Sequence, residues 1–161
     1  MRTALWLLSG LTASAAHADR LPIPADAPPA FVAECGSCHL PFPPALLAAG
    51  DWQRIMANLG KHYGDNATLD DQARQAITDF LIRNAGSGYR TEGANSASDG
   101  LPRLTATRWF RHKHDEVPNA VWKDKRVGSA ANCGACHTRA ETGSYRERDI
   151  RMPGGYRHEH D

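Results

Sequence analysis

The sequence predicts a mainly α-helical protein with much irregular structure, built as two small units. Two apolar stripes predict it: Trp52, Ile55, Met56 and Leu59 recur at helical spacing, and so do Ala73, Ile77, Phe80 and Leu81. No alternating strand pattern is sustained anywhere along the chain. At 41% hydrophobic and 23% charged residues over 161 positions, the composition is that of a globular protein rather than a coiled coil, collagen or disordered chain.

The elements follow in order. Residues 1–18 read as a cleaved secretory signal, with Arg2 as the positive n-region, Ala4 to Leu11 as the apolar run and Ala16-His17-Ala18 as the cleavage site. The run is shorter than the roughly 20 apolar residues that span a bilayer, and no later stretch is apolar enough, so an exported chain that does not itself cross a membrane is expected. Leu21 to Pro29 holds four prolines in nine residues and should lie outside regular structure. The first stripe predicts a helix that stops at Gly64, after His62. The second predicts a helix that opens at Thr68-Leu69-Asp70-Asp71, where Thr68 or Asp70 can cap, and breaks at Asn84-Ala85-Gly86. Residues 85–100 are small and polar and mark a linker between an N-terminal unit, 19–84, and a C-terminal unit, 101–161. Helical fragments are expected at Thr105 to His114, at Pro118 to Trp122 and around Cys133.

Without the signal the chain carries 18 basic and 18 acidic side chains, which argues against a nucleic-acid binder. Residues 19–100 hold 6 Lys/Arg against 10 Asp/Glu and residues 101–161 hold 12 against 8, so the halves carry −4 and +4. Such a dipole can steer encounter with a charged partner, although a solvated face with no role is the plainer explanation.

All four cysteines fall in two copies of one pentapeptide, Cys35-Gly-Ser-Cys38-His39 and Cys133-Gly-Ala-Cys136-His137. Cys-x-x-Cys-His is the attachment motif of c-type haem. Within one helical turn the two sulfurs lie side by side for two thioether bonds, and the next residue presents an imidazole to the iron. A zinc site would space its Cys pairs about 15–20 residues apart rather than nearly a hundred. A thioredoxin-type motif needs a βαβ setting, and structural disulfides leave both histidines unexplained. With 8 histidines in 161 residues, one after each pair by accident is on the order of 1 in 400. Units of about 60 residues rarely bury enough surface alone, so each haem should supply much of a core and the apoprotein should be largely unfolded.

The sixth ligand decides whether an iron only passes electrons or also binds a small molecule. Met56, Met152, His62, His112, His114, His158 and His160 are the candidates. Met56 sits mid-stripe, where methionine packs. His62 lies one turn later at the stripe's edge, between Gly60 and Gly64. For the second haem, His112 and His114 face different ways on a helix, so one alone can ligate. His114 is favoured, with Phe110 a turn before it and a break at Pro118; His112 and Met152 stay open as alternatives. His158 and His160 fall in a terminal tail. Lys123, Lys125 and Arg126 are candidate docking charges. Nothing demands association beyond a monomer.

The sequence resembles the small exported bacterial cytochromes of the dihaem cytochrome c (DHC) family. The resemblance rests on both pentapeptides, on Trp52-Gln-Arg-Ile-Met, on Leu59-Gly-Lys-His62-Tyr-Gly, on Lys113-His114-Asp-Glu-Val-Pro118 and on Gly128-Ser-Ala-Ala-Asn before Cys133. It implies an N-terminal domain like a shortened class I cytochrome c, a less regular C-terminal haem domain and two haem c groups. It further implies bis-histidyl, low-potential irons, with His39 paired to His62 and His137 to His114. A periplasmic electron carrier is then expected, serving partner redox proteins such as a small oxygen-binding cytochrome c or a membrane b-type cytochrome. The competing expectation is a small haem enzyme or ligand sensor with one open or labile distal site.

Overall fold

The structure, a computed structural model, describes residues 20–95 and 100–156. The expected signal peptide, His158 and His160 lie outside the described residues. The chain is mainly helical, and among the described residues extended pairing is limited to isolated bridges.

The leader stays irregular up to its last proline, which starts helix α1 (Pro29–Cys35). Proline suits a first helical position, where the backbone N–H has no intrahelical partner to lose. Helix α2 (Ala49–Ala57) buries Trp52, Ile55 and Met56. It ends earlier than the sequence predicts, because Asn58 leaves helical geometry and a 3-10 turn, Leu59–Lys61, carries the stripe on to His62. Two buried polar groups on α2 are satisfied: the Trp52 indole donates to the Pro44 carbonyl at 2.8 Å, and Asp51 accepts from Arg54 and Asn95, each at 3.0 Å.

Helix α3 (Asp71–Arg83) has the cap that its sequence offers, Asp70 accepting from the Ala73 N–H at 2.9 Å. Its inner face, Ile77, Phe80 and Leu81, is almost wholly buried against α2 and α1, and Phe80 meets Phe31 with ring centroids 4.9 Å apart. Met56 belongs to this core.

The small, polar stretch after α3 is packed where it is described. Gly86 donates to the Leu47 carbonyl at 2.9 Å, Ala94 is fully buried in the first core, and the backbones of Glu92 and Ala94 accept from Arg108 and Arg103 at 2.8 Å. Small side chains allow that close approach, and low hydrophobicity alone does not reveal it. Helix α4 (Arg108–Lys113) follows, capped by the buried Thr107 hydroxyl, which accepts from Phe110 N–H at 3.1 Å. Helix α5 (Asn119–Trp122) begins after Pro118. The remainder consists of 3-10 turns, including Cys133–Ala135.

The leader closes onto this C-terminal part. Leu21 N–H donates to the Gly143 carbonyl at 2.8 Å and Arg20 bridges Ser144. Gly143 has φ +69°, and a Cβ there would lie 2.4 Å from Pro22 Cα, so glycine is required on both counts. Leu104 packs against the first core and also lines a cleft in the C-terminal part.

Candidate haem sites

The first site forms where α1 ends. Cys35 is the last residue of that helix, and the following turn carries Cys38 and His39 out toward the segment after α2. The His39 and His62 rings face one another with centroids 6.3 Å apart and planes 15° from parallel. Phe42 stacks on His39 at 4.8 Å. His39 Nδ1 donates to the Leu40 carbonyl at 2.8 Å, which leaves Nε2 as the free lone pair.

The second site repeats this arrangement with other elements. The turn Cys133–Ala135 continues into Cys136 and His137, and the latter's N–H bonds back to the Cys133 carbonyl at 2.9 Å. Pairing of His137 with Ile150, and of Arg151 N–H with the Cys136 carbonyl at 2.8 Å, anchors the segment. His114, at the end of α4, stands opposite, with ring centroids 6.0 Å apart and planes at 83°. Phe110 stacks on His114 at 4.1 Å and accepts its Nδ1–H at 2.8 Å, again leaving Nε2 free. His112 points away from the site: its side chain is 67% exposed and pairs with Asp115 at 3.4 Å. Met152 lines the cleft.

This site opens into a cleft with Cys133, Cys136, His114 and His137 in its wall. Apolar groups supply the rest, among them Leu21 and Leu46 from the N-terminal half and Trp109, Phe110 and Trp122 from the C-terminal half. Leu21, Trp122 and Tyr145 carry no periodic signal, and sequence reasoning missed them; Leu21 was visible only as a member of the leader.

The electrostatics select a ligand type. Burial lowers the basicity of His62 and His114, and burial together with neighbouring His114 takes His137 down to about 4. At neutral pH these imidazoles are uncharged and offer lone pairs to a metal. Burial pushes the Cys35 thiol up to about 11 and raises Cys133 and Cys136 as well. Zinc-binding and redox cysteines need stabilised thiolates, whereas a thioether sulfur is neutral and suits an apolar setting.

A haem fits both sites. Two imidazoles on opposite sides of one metal ion, each bonded at about 2.0 Å, have centroids about 6 Å apart once a ring radius of about 1.1 Å is added on each side. Both observed pairs have that separation. A haem brings its own equatorial ligands to each pair, and among the described residues no group of three or more His, Cys, Asp or Glu could hold a metal ion. In the second site His137 Nδ1 and Tyr145 Oη are buried without a hydrogen-bond partner among the described residues, and a haem carboxylate is an acceptor that the tyrosine hydroxyl could use.

Known proteins share this chain's sequence and fold. A family model for dihaem cytochrome c matches residues 31–145. The chain is similar to a diheme cytochrome type c from Shewanella baltica OS155, 37% identical, covering 80% of this chain and 95% of that one with a TM-score of 0.67. It is also similar to a diheme cytochrome c from Rhodobacter sphaeroides, 36% identical, covering 77% and 99% with a TM-score of 0.66. No curated protein matches. The chain belongs to the dihaem cytochrome c family, and its cofactors are two haem c groups.

Proposed function

We propose that this protein is an exported, periplasmic electron carrier in which Cys35 and Cys38 attach one haem and Cys133 and Cys136 the other. His39 and His137 are the proximal ligands, and His62 and His114 the distal ones. The two facing histidine pairs, at 6.3 and 6.0 Å, carry this reading. With these imidazoles holding both faces of each haem, neither iron would keep a position for a substrate. When bound, each haem iron takes up and releases one electron. Imidazole on both faces, with no thioether ligand, sets both potentials low.

The chain's own residues supply orientation and shielding. Phe42, Phe110 and the two Nδ1–H···O=C bonds hold the imidazoles, while Leu21, Leu46 and Trp122 exclude water from the second site. Electrons pass to and from partner redox proteins, a small oxygen-binding cytochrome c or a membrane b-type cytochrome among them, through small transient contacts. Lys123 and Lys125 are exposed for such docking, whereas Arg126 is taken by Asp124 at 2.6 Å. Among the described residues no helix is long and apolar enough to cross a membrane.

Carbon monoxide tests the reading. The reduced holoprotein is expected to refuse it at both irons. Rapid binding at either would overturn the bis-histidine assignment there and favour a small haem enzyme or a ligand sensor.

A further inference from the structure

His62 is followed by a residue whose backbone is unusual. Tyr63 has φ +52°, the one positive φ outside glycine among the described residues. Large aromatic side chains rarely adopt this left-handed region, and they persist there where surrounding contacts over-determine them. Three contacts do so. The phenol hydroxyl donates to the Pro102 carbonyl. The Arg103 guanidinium lies over the ring, 4.7 Å from its centroid. The ring also meets His62 edge-on, with centroids 4.8 Å apart and planes at 72°. Consecutive side chains thus diverge, the His62 imidazole toward His39 and the Tyr63 phenol toward the start of the C-terminal half.

We propose that Tyr63 is a positioning residue for the first haem: it sets the plane of the His62 imidazole and ties that orientation to Pro102 and Arg103. The inference rests on the bis-histidine reading above. The left-handed turn supplies the direction, the T-shaped contact fixes rotation about the His62 side chain, and the Pro102 bond anchors the buttress. The ligand plane at the first haem then depends on docking of residues 102–103, some forty positions along the chain.

The test compares wild-type, Tyr63→Phe and Tyr63→Leu holoproteins by low-temperature EPR of the oxidised form and by CO binding to the reduced form. Near-parallel axial imidazoles give a rhombic low-spin signal and near-perpendicular ones a signal with a large maximum g, so each haem reports separately. Tyr63→Phe keeps the ring edge and loses the Pro102 bond; its rhombic signal should shift while CO is still refused. Tyr63→Leu loses both, so its rhombic signal should broaden or vanish and CO, which the wild type refuses, should bind that haem. The large-g signal should be unchanged in both variants. A rhombic signal in Tyr63→Leu superimposable on wild type would overturn the proposal and leave the ligand assignment standing. Should Tyr63→Leu fail to incorporate haem, an unshifted rhombic signal in Tyr63→Phe would overturn it. A wild-type protein without low-spin signals would overturn the bis-histidine reading, and Tyr63's role with it.

Discussion

His112 and His114 are two residues apart at the end of one short helix, and helical rotation sends the first to solvent and the second toward His137. The motif context favoured His114, but the sequence left His112 open because two histidines two positions apart show only that they face different ways, not which way each faces. His114→Ala should convert the second haem to a high-spin, CO-binding form, whereas His112→Ala should change neither haem's spectrum. His62→Ala should abolish the rhombic EPR signal alone. Acid should act through the same side chains. For a histidine whose folded pKa is depressed, stability is full above the ordinary value of about 6.5 and is lost as pH falls toward the folded value. For His137 that window runs from 6.5 down to about 4. That window is the haem-free ring's: with Nε2 bound to iron, protonation must displace the metal, so in a pH titration of the holoprotein the large-g signal should persist through that range and be lost only at lower pH. Tyr145 and Tyr63 were not legible as contributors, because their roles depend on contacts with residues far along the chain.

Helices α2 and α3 were legible because each buries a stripe of large apolar residues, and the cap at Asp70 was legible because few side chains can accept there. Replacing Asp70 by Ala should cost about 1 kcal/mol, and truncating Phe80 to Ala about 3–5 kcal/mol, both measured by chemical denaturation of the holoprotein. Helix α1 was missed, since seven residues that begin at proline and end at the haem motif show no repeated period. The leader's docking on Gly143 was also hidden: a single backbone pair across more than a hundred residues leaves no mark on local composition. Gly143→Ala should detach it, because the new methyl group collides with Pro22 and the backbone is left-handed. Thermal unfolding followed at the second haem should shift to lower temperature, with less change at the first.

At the scale of the molecule the two sites rest on different foundations. The first adjoins a core of ten buried apolar residues drawn from α1, α2, α3, Leu47, Leu59 and Ala94. The C-terminal half has Val121, Val127 and Ala140 buried, and it borrows Leu21 and Leu46 from the other half to wall its cleft. The joint Cys133→Ala/Cys136→Ala variant should therefore lose cooperative structure in residues 101–156 while α2 and α3 stay protected, as hydrogen exchange would show. Uniform protection of both halves would count against the second haem as that half's core. The haem content was legible because an attachment motif needs fixed residues at fixed spacing. The relative tilt of each imidazole pair was not, because it depends on where the backbone sets four rings in space.

That tilt gives the most direct test of the two-haem, four-histidine arrangement, the low-temperature EPR spectrum of the oxidised holoprotein. His39 and His62 lie 15° from parallel and His114 and His137 at 83°, so two low-spin signals of different shape are expected, one rhombic and one with a large maximum g. A high-spin signal from either iron would contradict the arrangement at that site.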